Sequence, residues 1–376
     1  MRILLVCENY IPHIGGAELL FKSLAKGFVE RGHKVAVLTH QLKNTRKREM
    51  IDGAKVFRVP SFHSRYIFTF SSIFKAISLA RRSDVIHTTT FNGAFPAWLA
   101  GRLTGKKVSI TVHEIWVGKW RQITNFGWLN CIIHDFLERM VYLLSFDKYI
   151  CVSEATKKDL IRRGINESRI RTIYNGLDYD FWNEKKVSKK EAEELRKELG
   201  LGNKLVYFSW GRPGESKGFE YLIKAVSLAK VPNAVFLLML SSIDKYKKKY
   251  NKLIRLRNKL GLKEKIKIIN SVPHQQLKVF LKMADFVIVP STSEGFGYTT
   301  VEAVAMKKPV IISSAGSLPE VVSGKHLIFR NKDARDLAEK MVKMANKEYV
   351  STPIKKFEWD ECVERYFSVW TKTSLS

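Results

Sequence analysis

The stretch Ser291-Thr-Ser-Glu-Gly-Phe-Gly-Tyr-Thr-Thr-Val-Glu302 constrains the architecture more than any other. It follows Asp285-Phe-Val-Ile-Val-Pro290, a short apolar, β-branched run of the kind buried on both faces in a parallel sheet. It leads into Thr299–Lys308, whose pattern is helical. Gly295 and Gly297 fall at the strand-to-helix turn, where the backbone can approach a ligand closely. The helix start that follows offers unpaired N–H groups and a positive dipole end, suited to phosphate. Glu302 stands among Val301, Ala303, Val304 and Ala305, where a carboxylate is costly unless something hydrogen-bonds it. These residues leave two readings open, a ligand site or an ordinary strand–turn–helix unit whose glutamate complements the dipole.

The same rhythm runs along the chain. Arg2–Cys7, Lys34–Thr39, Asp84–Thr88, Lys107–Val112, Lys148–Val152 and Arg171–Ile173 read as strands separated by helical or turn-rich sequence. From Lys204 it restarts with Leu205–Trp210, Ala234–Leu240, Lys265–Ile269, Phe286–Pro290 and Pro309–Ser313. Such alternation predicts α/β architecture: two Rossmann-like, doubly wound domains. A length of 376 residues suits two cores better than one. Asn183–Lys204, charged and closing in Gly200-Leu-Gly202, is the expected link. The predicted domains are residues 1–180, residues 181–357 and a closing segment, 358–376.

Within that frame other loops gain meaning. Tyr10-Ile-Pro-His-Ile-Gly-Gly-Ala-Glu18 joins the first strand to the first helix, so Gly15 and Gly16 lie at the carboxyl edge of the sheet, where open α/β sheets bind ligands. His113 ends the strand Lys107–Val112 at the same edge, as a ligand-facing or a structural histidine. In the second half Gly211-Arg-Pro-Gly-Glu-Ser-Lys-Gly218 follows a strand; Arg212 can fork onto phosphate oxygens and Lys217 can act as a point charge. Two cations beside a glycine-rich helix start make a metal-free diphosphate site, or else two more basic residues on a basic surface.

The net charge is +29, and both halves contribute. That field favours anionic partners: nucleic acid, anionic lipid or phosphate-bearing substrates. Lys245–Lys267 is the densest run, with eleven basic residues against Glu264, and its pattern predicts a helix with a solvated basic face. No segment reaches the ~20 apolar residues of a membrane span, and the N-terminus does not read as a signal peptide. Cys7, Cys131, Cys151 and Cys362 are scattered, without the spacing of a zinc site or disulfide framework. A reducing cytoplasm is the expected compartment.

Glu294-x7-Glu302, the Gly211-Arg212…Lys217-Gly218 loop, Asn175-Gly176-Leu177-Asp178 and the Pro-x-x-Gly-Gly-Ala-Glu turn occur together, in order, along essentially the whole chain. In this the sequence closely resembles the family-four (group 1) retaining glycosyltransferases of the GT-B fold. The ending Phe357-Glu-Trp-Asp…Tyr366…Trp370 is similar to that family's last helix, which crosses back to the first domain. The resemblance implies a cleft between two facing domains and transfer of a sugar from a UDP- or GDP-linked donor, without metal or other cofactor. It implies that Arg212 and Lys217 bind the donor diphosphate, Glu302 the ribose hydroxyls and Glu294 the donor sugar. The backbone of Gly297, Tyr298, Thr299 and Thr300 would meet the phosphates, Gly15 and Gly16 would line the cleft, and His113 would reach the sugar.

Some positions depart from the family pattern. Leu240-Ser-Ser-Ile-Asp244 replaces a glycine-rich turn, Ser317 a common glycine and Glu114 a common aspartate; Asp178-Tyr-Asp180 spells the metal motif of another transferase fold. Aromatic and aliphatic residues crowd between Trp116 and Phe146 and from Arg65 to Phe74, with Lys119, Arg121, Lys75, Arg81 and Arg82 interleaved. They belong either to helix core or to a basic, apolar surface for a lipid-linked or other glycan acceptor on an anionic, cytoplasmic membrane face. A nucleic-acid-binding module leaves Glu294 and Glu302 without purpose, so no nucleic-acid partner is expected. An isomerase of the same fold and an inactive binding module complete the alternatives.

Overall fold

The structure is a computed structural model that describes residues 1–371 apart from Ile14, His63 and Asn125. The side chains of Arg65 and Lys245, both in stretches singled out above, lie outside the described set, as does the tail Lys372–Ser376 of the closing segment. Two compact units emerge. One comprises Met1–Trp120, Phe126–Gly176 and Phe357–Ser376; the other comprises Arg121–Asn125 and Leu177–Lys356.

The first unit is built on strands β1 (Arg2–Val6), β2 (Lys34–His40), β3 (Arg48–Ile51), β4 (Ala54–Val59), β5 (Val85–Thr89), β6 (Lys107–Val112), β7 (Lys148–Cys151) and β8 (Ile170–Thr172). They form one sheet in the order β3-β4-β2-β1-β5-β6-β7-β8, parallel except where β3 meets β4. Strand order reverses at β1, which pairs with β2 on one side and β5 on the other. Both faces are covered, as the unbroken apolar runs require: Leu4, Val6, Ile86 and Ile110 pack on one side, and Ile3, Leu5, Val37 and Ile150 on the other. The second cluster receives the closing helix Trp359–Thr371, whose Cys362, Val363 and Tyr366 are buried against Phe21, Leu24 and Phe28. Tyr366 Oη lies 2.9 Å from Thr111 Oγ1, and Trp370 Nε1 donates to Ser109 Oγ at 2.8 Å.

The second unit repeats the plan with β9 (Leu205–Gly211), β10 (Ala234–Leu240), β11 (Ile266–Asn270), β12 (Phe286–Val289), β13 (Val310–Ser313), β14 (Gly324–Phe329) and β15 (Val350–Thr352). The order is β11-β10-β9-β12-β13-β14-β15, with only the β14–β15 pair antiparallel. Here the reversal falls at β9, between β10 and β12. The sequence reading did not include β3, β4, β14 or β15, which lie at or next to sheet edges. The basic run forms the helix Lys247–Lys259, buried only at Leu253. No helix among the described residues is long and apolar enough to cross a membrane.

Candidate active site

In the second unit the loops after β9 and β12 lie side by side at the switch point, the crevice where such sheets bind ligands. They are locked together through backbone. Thr292 N–H donates to Ser216 O at 2.7 Å, and Thr292 Oγ1 donates to Glu215 O at 3.2 Å. Gly218 takes φ +65°, and a Cβ there would overlap the Pro290 carbonyl oxygen. Only glycine allows this approach.

The approach brings together residues distant in sequence. Lys217 Nζ donates to the Glu294 carboxylate, which also accepts from Ser291 Oγ at 2.9 Å. Both partners of the ion pair are largely enclosed, with side-chain exposures of 22 % and 13 %. Glu302 stands close enough to feel both. Burial pushes its carboxyl up to about 8, Lys217 opposes that rise and Glu294 adds to it. Arg212, on the same loop as Lys217, keeps its guanidinium without a protein partner among the described residues. The site therefore holds a neutralised Lys–Glu pair, a carboxyl ready to meet hydroxyl donors, and a fork-shaped cation.

Gly297, at φ +88°, is the N-cap of the helix Tyr298–Ala305, and no side chain caps that terminus. The Thr300 N–H, predicted to meet a phosphate, instead donates to Gly297 O at 2.9 Å, so the helix start offers an anion the Thr299 N–H and the positive dipole end. The buried hydroxyls of Thr299 and Thr300 have no hydrogen-bond partner among the described residues. Ser317 is where sequence reasoning saw only a departure: its N–H and Oγ both donate to Glu294 O, at 3.2 and 3.3 Å. Beside it, a Cβ on Gly316 would overlap that same oxygen. Ser291 and Ser317 orient Glu294; neither carries a signal at the sequence level beyond its place in the loop.

In the first unit, Gly15 is the N-cap of the helix Gly16–Glu30, and Glu18 folds its carboxylate back over it, 3.1 Å from His13 Nδ1. The chain's own carboxylate thus stands over Gly15, while Gly16 is exposed. Next to it at the switch point, Asn92 Nδ2 donates to Glu8 Oε2 at 2.5 Å. His113 follows β6, half-buried, with Nε2 buried and unpartnered; burial lowers its imidazole to about 4, so the ring is neutral. His87 is instead structural, held between Ser109 Oγ and Thr111 Oγ1 at 2.8 and 2.9 Å. Asp178 Oδ1 accepts from the N–H groups of Asp180 and Phe181 at 3.0 and 2.9 Å, and Asp180 pairs with Lys186, so this acidic pair is engaged in its own turn. Among the described residues no cluster of three His, Cys, Asp or Glu side chains is set to hold a metal ion.

Comparison with known proteins agrees with this geometry. An uncharacterised glycosyltransferase of Methanocaldococcus jannaschii is 28% identical over 86% of this chain and 83% of its own. The phosphatidylinositol N-acetylglucosaminyltransferase GPI3 subunit of Saccharomyces cerevisiae is 22% identical over 99% of this chain and 83% of its own. A crystal structure of HepE from Anabaena, in complex with UDP and glucose, shares the fold with a TM-score of 0.76 at 20% identity, each chain covered in full. Residues 14–181 match Glycosyltransferase Family 4, and residues 191–356 match Glycosyl transferases group 1. The chain belongs to the family-four, group 1 glycosyltransferases of the GT-B fold.

Proposed function

We propose that this glycosyltransferase is a retaining, metal-independent hexosyltransferase that takes its sugar from a UDP- or GDP-linked donor. Its acceptor is a lipid-linked glycan or lipid at the cytoplasmic face of an anionic membrane. The observation that carries the reading is the Lys217–Glu294 pair beside Glu302, set against an uncapped helix N-terminus at the β9/β12 switch point.

As the bond between the anomeric carbon and the donor phosphate breaks, negative charge grows on the departing diphosphate. Arg212, Lys217 and the helix start after Gly297 are preorganised cations and dipole for that charge. They supply the neutralisation for which other transferases use a divalent ion. Glu302 takes the ribose hydroxyls; Glu294, held by Lys217, Ser291 and Ser317, takes a hydroxyl of the donor sugar. The acceptor hydroxyl attacks the same carbon on the face the phosphate leaves, and its proton passes to that phosphate. The configuration is then kept without a protein nucleophile. His113, neutral and with an Nε2 unpartnered among the described residues, is the candidate for a substrate hydroxyl in the first unit. The yeast relative, by name a phosphatidylinositol N-acetylglucosaminyltransferase subunit, supports the lipid acceptor.

The test is thermal unfolding of the wild type and Glu302→Ala with UDP, GDP, ADP and their sugars. A hundredfold excess over the dissociation constant stabilises by about 2.7 kcal/mol. Stabilisation by one nucleotide, lost in the variant, is expected and identifies the base. No response to any of them would overturn the donor assignment.

A further inference from the structure

The helix Trp128–Leu143 turns its apolar face away from the protein. Leu129, Ile132, Ile133, Phe136, Met140 and Leu143 recur at helical spacing and are all exposed, Phe136 at 59 % and Leu143 at 75 %. The carboxylates of this helix point inward. Asp135 accepts from the Gly118 N–H; Glu138, buried, accepts from Trp116 N–H and Trp120 Nε1–H, each at 2.8 Å. Those bonds fasten the helix to the loop that follows His113. A helix that faces water shows the opposite arrangement.

A second exposed apolar stretch adjoins it. Phe70 and Phe74, in the helices Arg65–Ser71 and Ile73–Ala80, are 69 % and 86 % exposed. Tyr66 Oη lies 2.6 Å from His134 Nε2, joining these helices to Trp128–Leu143. The result is one surface far richer in large apolar side chains than water-facing surfaces are. Cations flank these elements in the sequence: half-buried Lys75 and exposed Arg81 and Arg82 follow Phe74, and exposed Arg121 precedes Trp128.

We propose that this surface is a membrane-insertion face. The helix Trp128–Leu143 lies in the plane of an anionic phospholipid leaflet, its outer residues and Phe70 and Phe74 among the acyl chains, its basic surroundings on the headgroups. The proposal rests on the lipid-acceptor reading above and specifies the surface that meets the lipid. A second copy of the chain is the poorer occupant, because two molecules of net charge +29 repel one another.

Sedimentation of the full chain with vesicles of phosphatidylglycerol and phosphatidylcholine, against phosphatidylcholine alone, tests it. The wild type is expected to sediment with the anionic vesicles. Ile133→Asp/Phe136→Asp and, on the other element, Phe70→Asp/Phe74→Asp should each lower the partition coefficient at least about tenfold. Both pairs should keep the wild-type circular dichroism and the nucleotide-dependent thermal shift. Three results would overturn the proposal: no binding at low salt, binding indifferent to both pairs, or a concentration-dependent dimer that the substitutions dissolve. A protein that binds vesicles but no nucleotide fails the donor reading and leaves the insertion face standing; the reverse result does the opposite.

Discussion

Lys217 and Glu294 are each other's counter-ion in a largely enclosed place, so removing one strands the other. Lys217→Ala leaves the Glu294 carboxylate with Ser291 Oγ and with Glu302 nearby. The loss should cost about 1–3 kcal/mol in urea unfolding and, on the proposed role of Lys217 as a cation for the leaving diphosphate, lower kcat about 10²–10³-fold. Glu302 adds a pH dependence of defined sign. Its carboxyl has an ordinary value of 4.5 when unfolded and about 8 when folded. Between those values the folded chain holds the extra proton, so this group's contribution makes stability fall as pH rises. Glu302→Gln removes that contribution. The stability of the wild type relative to the variant should therefore decline from pH 5 to pH 8, measured by urea titration at each pH, and a flat difference would refute the assignment. Glu302 was legible in the sequence because an acid among Val301, Ala303 and Val304 demands an explanation. The roles of Ser291 and Ser317 were not, since a loop serine bonding across a fold leaves no mark on local pattern.

At the scale of elements, the β9 and β12 loops depend on glycine as much as on charge. Gly218→Ala combines a strained φ with overlap at the Pro290 oxygen, and should cost about 2–4 kcal/mol. Gly261 has a similar φ, +66°, but nothing lies within 4 Å of its Cβ direction. Gly261→Ala should cost about 1 kcal/mol and leave nucleotide binding intact, whereas Gly218→Ala should lose it; a thermal shift with and without nucleotide separates them. Most of the parallel strands were readable because burial on both faces writes continuous apolar runs; β4 and β14, each also paired with an antiparallel edge strand, were not. The β3–β4 hairpin was passed over although Asp52-Gly53 between the two strands is a strong turn signal; its strand Arg48-Glu-Met-Ile51 is too polar to read as buried. The sequence also showed apolar residues crowding between Trp116 and Phe146, without saying whether they face the core or the surface. Only the bonds of Asp135 and Glu138 to the 116–120 loop decide that.

Over the whole molecule, each unit has its own sheet and core, and the first is closed by sequence from the far end of the chain. Tyr366 is fully buried on that core, bonded to Thr111, and Gly27 makes room for the neighbouring Val363: a Cβ on Gly27 would meet the Val363 side chain. Contacts this remote in sequence cost loop-closure entropy, and they are recovered only when the helix Trp359–Thr371 docks. Tyr366→Ala removes a large buried ring and its hydrogen bond, a loss of about 3–5 kcal/mol. For units of this size that lowers a melting temperature by roughly 6–20 °C. Because the ring packs only within the first unit's core, calorimetry should show one transition moving down while a second stays. A nucleotide that binds at the proposed site on the β9 and β12 loops should raise the transition that stayed. If the mutation and the nucleotide move the same single transition, the two units unfold as one, and the closing helix stabilises the whole chain and not the first unit alone.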